Sequence, residues 1–239
     1  GLNSPLAVDV TGPRARCTGQ HGVDLDVLMA EPPRATLTAS KWGHEGKAAP
    51  EWLEPKPMPA MGETQIALHT RAPPDGDYLA VMFPYWHGQA APRLTAVAPG
   101  VVRATHEQGD DLIFFAGQRG VLQAEGVTFA GRVGLVRRTK GAVTLHILDG
   151  ISMRVPEMIA QFPGPVRLKI IRPGWIQGDC DGAARTCFLH WTDPPPTPAR
   201  LMIDGQDVYA YSTFDGYLSF TVPAGRHRFE VRYPQPPQP

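Results

Sequence analysis

Proline constrains this chain more than any other residue type. There are 26 prolines and 25 glycines among 239 residues, spread from end to end. Proline fixes φ and lacks an N–H, so it interrupts helix interiors and central strands alike. No stretch between these breaks keeps a helical period beyond about two turns. Short segments bounded by Gly, Pro and Asp suit strands instead. The expected fold is all-β: an antiparallel β-sandwich or stacked sheets, with a smaller C-terminal β subdomain.

The strand signals can be followed along the chain. Asp24-Leu25-Asp26-Val27-Leu28-Met29 and Thr64-Gln65-Ile66-Ala67-Leu68-His69-Thr70 alternate polar with apolar residues. Tyr78-Leu79-Ala80-Val81-Met82-Phe83 is unbroken apolar sequence, which reads as a strand buried on both faces and stopped by Pro84. A meander follows through Val101–His106, Leu112–Ala116, Val127–Gly131, Gly134–Arg138 and Ala142–Leu148. Gly109-Asp110-Asp111 and Asp149-Gly150 read as turns within it. Pro163-Gly164-Pro165 reads as punctuation between two regions, 1–162 and 163–239. Asp193–Pro198 reads as a stiff connector, and the Pro-rich tail 234–239 as extended.

Composition removes several function classes. The formal net charge is zero with a pI near 7.2, whereas a nucleic-acid partner calls for a basic surplus. No run of about 18 apolar residues is present, so no membrane span or membrane partner is expected. The chain starts Gly1-Leu2-Asn3 with neither Met nor a secretory leader, which reads as a processed or excised N-terminus. Cys180 and Cys187 bracket a short polar loop, a spacing that suits a hairpin disulfide in a secreted or periplasmic protein. The alternative is two free thiols near a turn. Cys17 has no evident partner, and no C-x-x-C motif is present.

One stretch resembles a known family. The strand Tyr78–Phe83 runs into Pro84-Tyr85, and a Gly-bearing meander leads to Asp110-Asp111-Leu112-Ile113-Phe114-Phe115. Together with Gly126–Gly134 and Val222–Val231, this pattern resembles the C-terminal β-sheet region of heparinase II/III-like polysaccharide lyases. The resemblance implies stacked antiparallel sheets beside an N-terminal α/α toroid, and β-elimination of uronic-acid polysaccharides. That chemistry needs a neutralised carboxylate, a base such as Tyr or His, and an acid for the leaving oxygen. The chain lacks the helical toroid and an early H-x-H-x-D type stretch. The expectation is therefore a lyase β region that lines a substrate cleft, supports the toroid and is inactive alone. A non-catalytic carbohydrate-binding module is the alternative. Either way the expected partner is an acidic polysaccharide or oligosaccharide, no cofactor is expected, and no catalytic residue is identified.

The candidate contacts follow from residue type. Tyr85-Trp86-His87 places three rings in succession after Pro84, where a loop tip would expose at least one. Trp42 and His44 lie in a long Pro- and Gly-rich segment, where Trp42 would either stack on a sugar ring or anchor the loop. His21, Asp24 and Asp26 are weak candidates for metal or acid–base work, because Asp24 and Asp26 share one strand face. The competing reading is a solvated strand edge. His69, His106 and His146 read as surface or satisfied histidines, and Trp191 as a packed strand residue.

Overall fold

The computed structural model describes residues 5–19, 22–32, 35–41, 66–71, 78–192, 200–214 and 216–233. It is all-β and antiparallel throughout, and it divides into two compact units, Gly1–Leu94 and Thr95–Pro239.

The first unit holds a four-stranded sheet in the order β1-β2-β3-β6, formed by β1 (Pro5–Thr11), β2 (Arg14–Gly19), β3 (Val23–Glu31) and β6 (Leu79–Trp86). A separate hairpin pairs β4 (Leu37–Lys41) with β5 (Ile66–Thr70). Period-two alternation gives the sheet two chemically different faces. Ala15, Cys17 and Val27 lie on one, and Leu37 and Leu68 of the hairpin pack against that side. Asp9, Arg16, Asp24, Asp26 and Tyr85 lie on the other.

Strand β6 departs from the sequence expectation. Leu79 and Val81 are buried, but Met82 is 62% exposed, so the run alternates instead of burying both faces. It also continues through Pro84 to Trp86. Pro84 is tolerated because β6 is the edge strand, where a missing N–H need cost no ladder bond, and Met82 lies on a face that is open to solvent at this strand.

The second unit is one large sheet folded onto itself. Its main path runs β17-β16-β20-β14-β13-β11-β10-β9-β8-β7. Those strands are β7 (Arg93–Ala98, whose first two residues belong to the first unit), β8 (Val101–His106), β9 (Gly109–Ala124), β10 (Val127–Thr139), β11 (Ala142–Val155), β13 (Val166–Arg172), β14 (Trp175–Cys180), β16 (Arg200–Ile203), β17 (Gln206–Val208) and β20 (His227–Arg232). The remaining strands, β12 (Met158–Gln161), β15 (Arg185–Trp191), β18 (Tyr211–Phe214) and β19 (Tyr217–Val222), extend from the far half of β11. The first half of β11 pairs β13 and its second half pairs β12. Strands β9, β10 and β11 thus pass from one layer into the other. The layers meet at Phe162, Phe220 and Phe229, with Phe229 stacked on Phe162 at 5.4 Å and edge-on to Phe220 at 5.3 Å.

The bend explains a turn expected at Asp149-Gly150 that does not occur. Gly150 lies inside β11, beside register shifts in the pairing with β10. A Cβ on Gly131, Gly134 or Gly150 would come within 2.5–2.9 Å of the Phe129 ring. The glycines let β10 and β11 fold tightly around that fully buried ring. Val127–Gly131 and Gly134–Arg138 are likewise one strand, β10, with a bulge between them. Gly109 and Asp110 open β9 and do not form a turn. Pro163-Gly164-Pro165 falls inside the second unit, between β12 and β13.

The Cys180–Cys187 disulfide is not formed; Cys17, Cys180 and Cys187 are all free and buried. A hairpin bridge requires neighbouring strands, and these are not neighbours. Strand β14 pairs β13 and β20, whereas β15 pairs β12 and β19, so the intervening loop crosses between layers. Each thiol donates weakly to a carbonyl at 3.8 Å, Cys180 to His227 and Cys187 to Arg185. The loop is held by Arg185 instead, whose guanidinium donates to the carbonyls of Pro163 (3.1 Å), Ala183 (3.1 Å) and Asp181.

Candidate binding cleft

The register of the first unit brings distant polar residues together. Arg16 lies opposite Asp26 across β2 and β3, and Asp24 lies opposite Tyr85 across β3 and β6. Arg16 therefore grips Asp26 with two parallel bonds of 2.9 and 3.0 Å, the fork geometry that suits a carboxylate. The Tyr85 hydroxyl donates diagonally to the same carboxylate at 3.2 Å. Asp24 accepts the backbone N–H of Gly19 at 3.1 Å, and its other oxygen lies 3.2 Å from Nδ1 of His87.

Electrostatics act on two members of this cluster, Arg16 and Tyr85. Bonding to Asp26 and then its charge raise the Arg16 guanidinium pKa, so that cation is permanent. Burial first, and then the Asp26 charge, raise the Tyr85 phenol above its ordinary value. Tyr85 is thus a neutral hydrogen-bond donor.

Beside this cluster the same face opens into a cleft of about 430 Å³. That volume lies within the usual range for a small-ligand site. Asp9, Arg14, Arg16 and Asp26 form its floor, and the 91–94 segment forms its wall. Arg14 donates to the Leu94 carbonyl at 2.6 Å, which ties the wall to the floor. Of the three guanidinium groups in the cleft only Arg16 is ion-paired, to Asp26; Arg14 and Arg93 have no carboxylate partner among the described residues.

The structure thus brings together Asp24, Asp26, Tyr85 and His87. It adds Arg14, Arg16 and Arg93, which the sequence reading missed. The one available signal was the alternation Arg14-Ala15-Arg16-Cys17, which sets both arginines on one strand face. Tyr85-Trp86-His87 is not a loop tip. Tyr85 and Trp86 end a strand and point to opposite faces, and only His87 lies in the turn. Trp86, 65% exposed, belongs to the face of Met82 and lies away from the cleft. His21, Trp42 and His44 lie outside the described residues. No cluster of metal-ligating side chains occurs among the described residues, and both oxygens of Asp26 are already engaged by Arg16.

Three further histidines have local partners. His69 bonds Ser40 at 2.7 Å, His106 lies 3.6 Å from Asp111, and His190 packs on Tyr217 at 4.2 Å between centroids. Trp191 is buried, as its strand pattern implies. No protein-family model matches this sequence, and no curated protein matches it either.

Proposed function

We propose that this chain binds an acidic saccharide in the cleft of its first unit and does not cleave it alone. The observation that carries this reading is Arg93, which has no carboxylate partner among the described residues, beside Arg14 and Arg16 in an open polar cleft. A guanidinium presents a planar fork of donors to a carboxylate, so a uronate group is a fitting ligand. The non-catalytic reading is supported by the hydrogen bonding of the cluster: both oxygens of Asp26 are held by Arg16, and the Tyr85 hydroxyl donates to the same carboxylate. The wider reading, a lyase-like β region that works beside an α/α toroid, is supported by the strand-and-turn resemblance and the all-β fold.

Titration calorimetry with galacturonate oligomers tests the reading. Arg93→Ala should weaken binding by about fivefold to tenfold, the scale of one charge-assisted hydrogen bond. An absorbance assay for the unsaturated uronate product should stay flat. Binding unaltered by Arg93→Ala would remove the cleft as the site, and turnover by the purified chain would remove the non-catalytic reading.

A further inference from the structure

The second unit carries a different charged surface, on the outward face of the layer formed by β11, β13, β14 and β20. Register fixes which side chains share it. Thr144, Lys169, Gln177 and Glu230 form one cross-strand row, and His146, Arg167, Asp179 and Arg228 form the next. The shift at the end of β13 sets Arg172 opposite Trp175, which itself pairs with Arg232.

The carboxylates of this surface are spoken for. Asp179 pairs with Arg228 at 3.2 Å, Glu230 pairs with Arg232, and at the margins Asp111 holds Arg137 while Asp207 holds Arg200. Arg167, Lys169 and Arg172 have no carboxylate partner among the described residues. All three stand on β13: Lys169 is one outward step of roughly 6.6 Å from Arg167, and Arg172 lies three residues further on, past the register shift, so they form a cationic line about 15 Å long. Arg167 and Lys169 are exposed, and Arg172 is half-buried.

Trp175 gives the line a rigid end. Its indole N–H donates to Glu230 at 2.6 Å. The guanidinium carbons of Arg232 and Arg172 lie 4.7 and 5.5 Å from its ring centre. Cation–π contact of this kind holds a guanidinium in place without neutralising it. Arg172 is therefore positioned and still charged. At the other end, burial and then Arg167 and Arg137 depress the His146 pKa, consistent with a positive local field.

We propose that Arg167, Lys169 and Arg172, with Trp175 as their anchor, form a docking strip for a linear acidic polysaccharide. An extended polyanion complements a straight row of cations along one strand. A single-stranded nucleic acid fits less well, because sequence-tolerant binding of that class relies on bare aromatic platforms, and the Trp175 ring already carries two arginines. The strip uses none of the cleft residues and does not rest on the reading of the cleft.

The test is solution binding of the full chain to three probes at low salt: a heparin oligosaccharide, a polygalacturonate oligomer and oligo-dT. Replacing Arg167, Lys169 and Arg172 together with Ala should weaken binding to both saccharides at least about tenfold, taking each exposed charge at the usual surface value. Trp175→Ala removes no charge, yet should weaken binding about threefold by releasing Arg172. Arg154→Ala, on the other layer, should change it less than about twofold. Circular dichroism of each variant checks that the fold is kept. Saccharide binding unchanged in the triple variant would overturn the strip. So would binding lost in Arg93→Ala but kept in the triple variant, which would assign all of it to the cleft. Oligo-dT bound more tightly than either saccharide, and released by the triple variant, would overturn the partner class.

Discussion

Gly178 offers a sharp test of how the second unit is packed. It lies in β14 with its Cα against the ring of Phe229 on β20, its cross-strand partner. A Cβ there would lie 2.0 Å from Cζ of that ring and 2.4 and 2.5 Å from the two Cε atoms. Carbon atoms prefer about 3.5–4.0 Å, so Gly178→Ala demands a displacement of about 1.5 Å. The ring has little room to yield, since Phe229 is 1% exposed and held between Phe162 and Phe220. Overpacking usually costs 1–3 kcal/mol, and a rigid neighbour places this case near about 3 kcal/mol. For a unit of this size that corresponds to a melting point lower by about 6–12 °C. Differential scanning calorimetry and urea unfolding measure both quantities. Phe229→Leu in the same chain should recover part of the loss, with a coupling energy of at least about 1 kcal/mol. A Gly178→Ala variant within about 0.5 kcal/mol of the parent, the range of an ordinary surface change, would refute the packing argument, as would strict additivity in the double variant.

The thiols should be free and inert. Intact mass after preparation in air should match three cysteines, and native labelling should be slow because burial pushes Cys187 up to about 12; a mass lower by about two hydrogens would restore the bridge. Tyr85→Phe should cost no more than about 1 kcal/mol by chemical denaturation, since it removes one hydrogen bond to a carboxylate that Arg16 still holds. His227 should titrate above 6.5 in an NMR pH series, because Asp204 and the Ala224 carbonyl bond its ring. The sign follows from linkage: its contribution is complete below 6.5 and disappears as pH rises through the higher folded value. Asp204 is depressed by the same bond, so its contribution holds above 3.8 and fades as pH falls. A midpoint at or below 6.5 would rule out the pair in solution.

Much of the fold was legible because proline and glycine act locally. They exclude helix wherever they fall, and period-two runs such as Asp24–Met29 locate strands without knowledge of their partners. What could not be read is non-local. Asp149-Gly150 carries the composition of a turn, and only the Phe129 ring, twenty residues earlier, makes it a bend within one strand. Cys180 and Cys187 sit at hairpin spacing, but whether the chain returns to the same layer depends on what β15 pairs with. The cleft was half visible. Asp24, Asp26 and Tyr85 could be singled out by type, whereas Arg16 acquires meaning only when register sets it opposite Asp26. Trp175, Arg167 and Lys169 drew no notice, since a row of cations on one strand looks like any solvated face until its acidic neighbours prove to be taken.

The passage of β9, β10 and β11 through both layers has a consequence for how the second unit comes apart. In a sandwich of separate sheets, one layer can peel away while the other keeps its ladder. Here each layer owns half of the same three strands, so opening one tears pairs that begin in the other. Backbone amides at Val136 and Leu145, in one half, and at Phe129 and Met153, in the other, should exchange with deuterium at similar rates, set by global unfolding. The peripheral hairpin of β16 and β17 has no such tether and should exchange earlier. Continuity of the chain across the bend thereby turns two layers into one cooperative element.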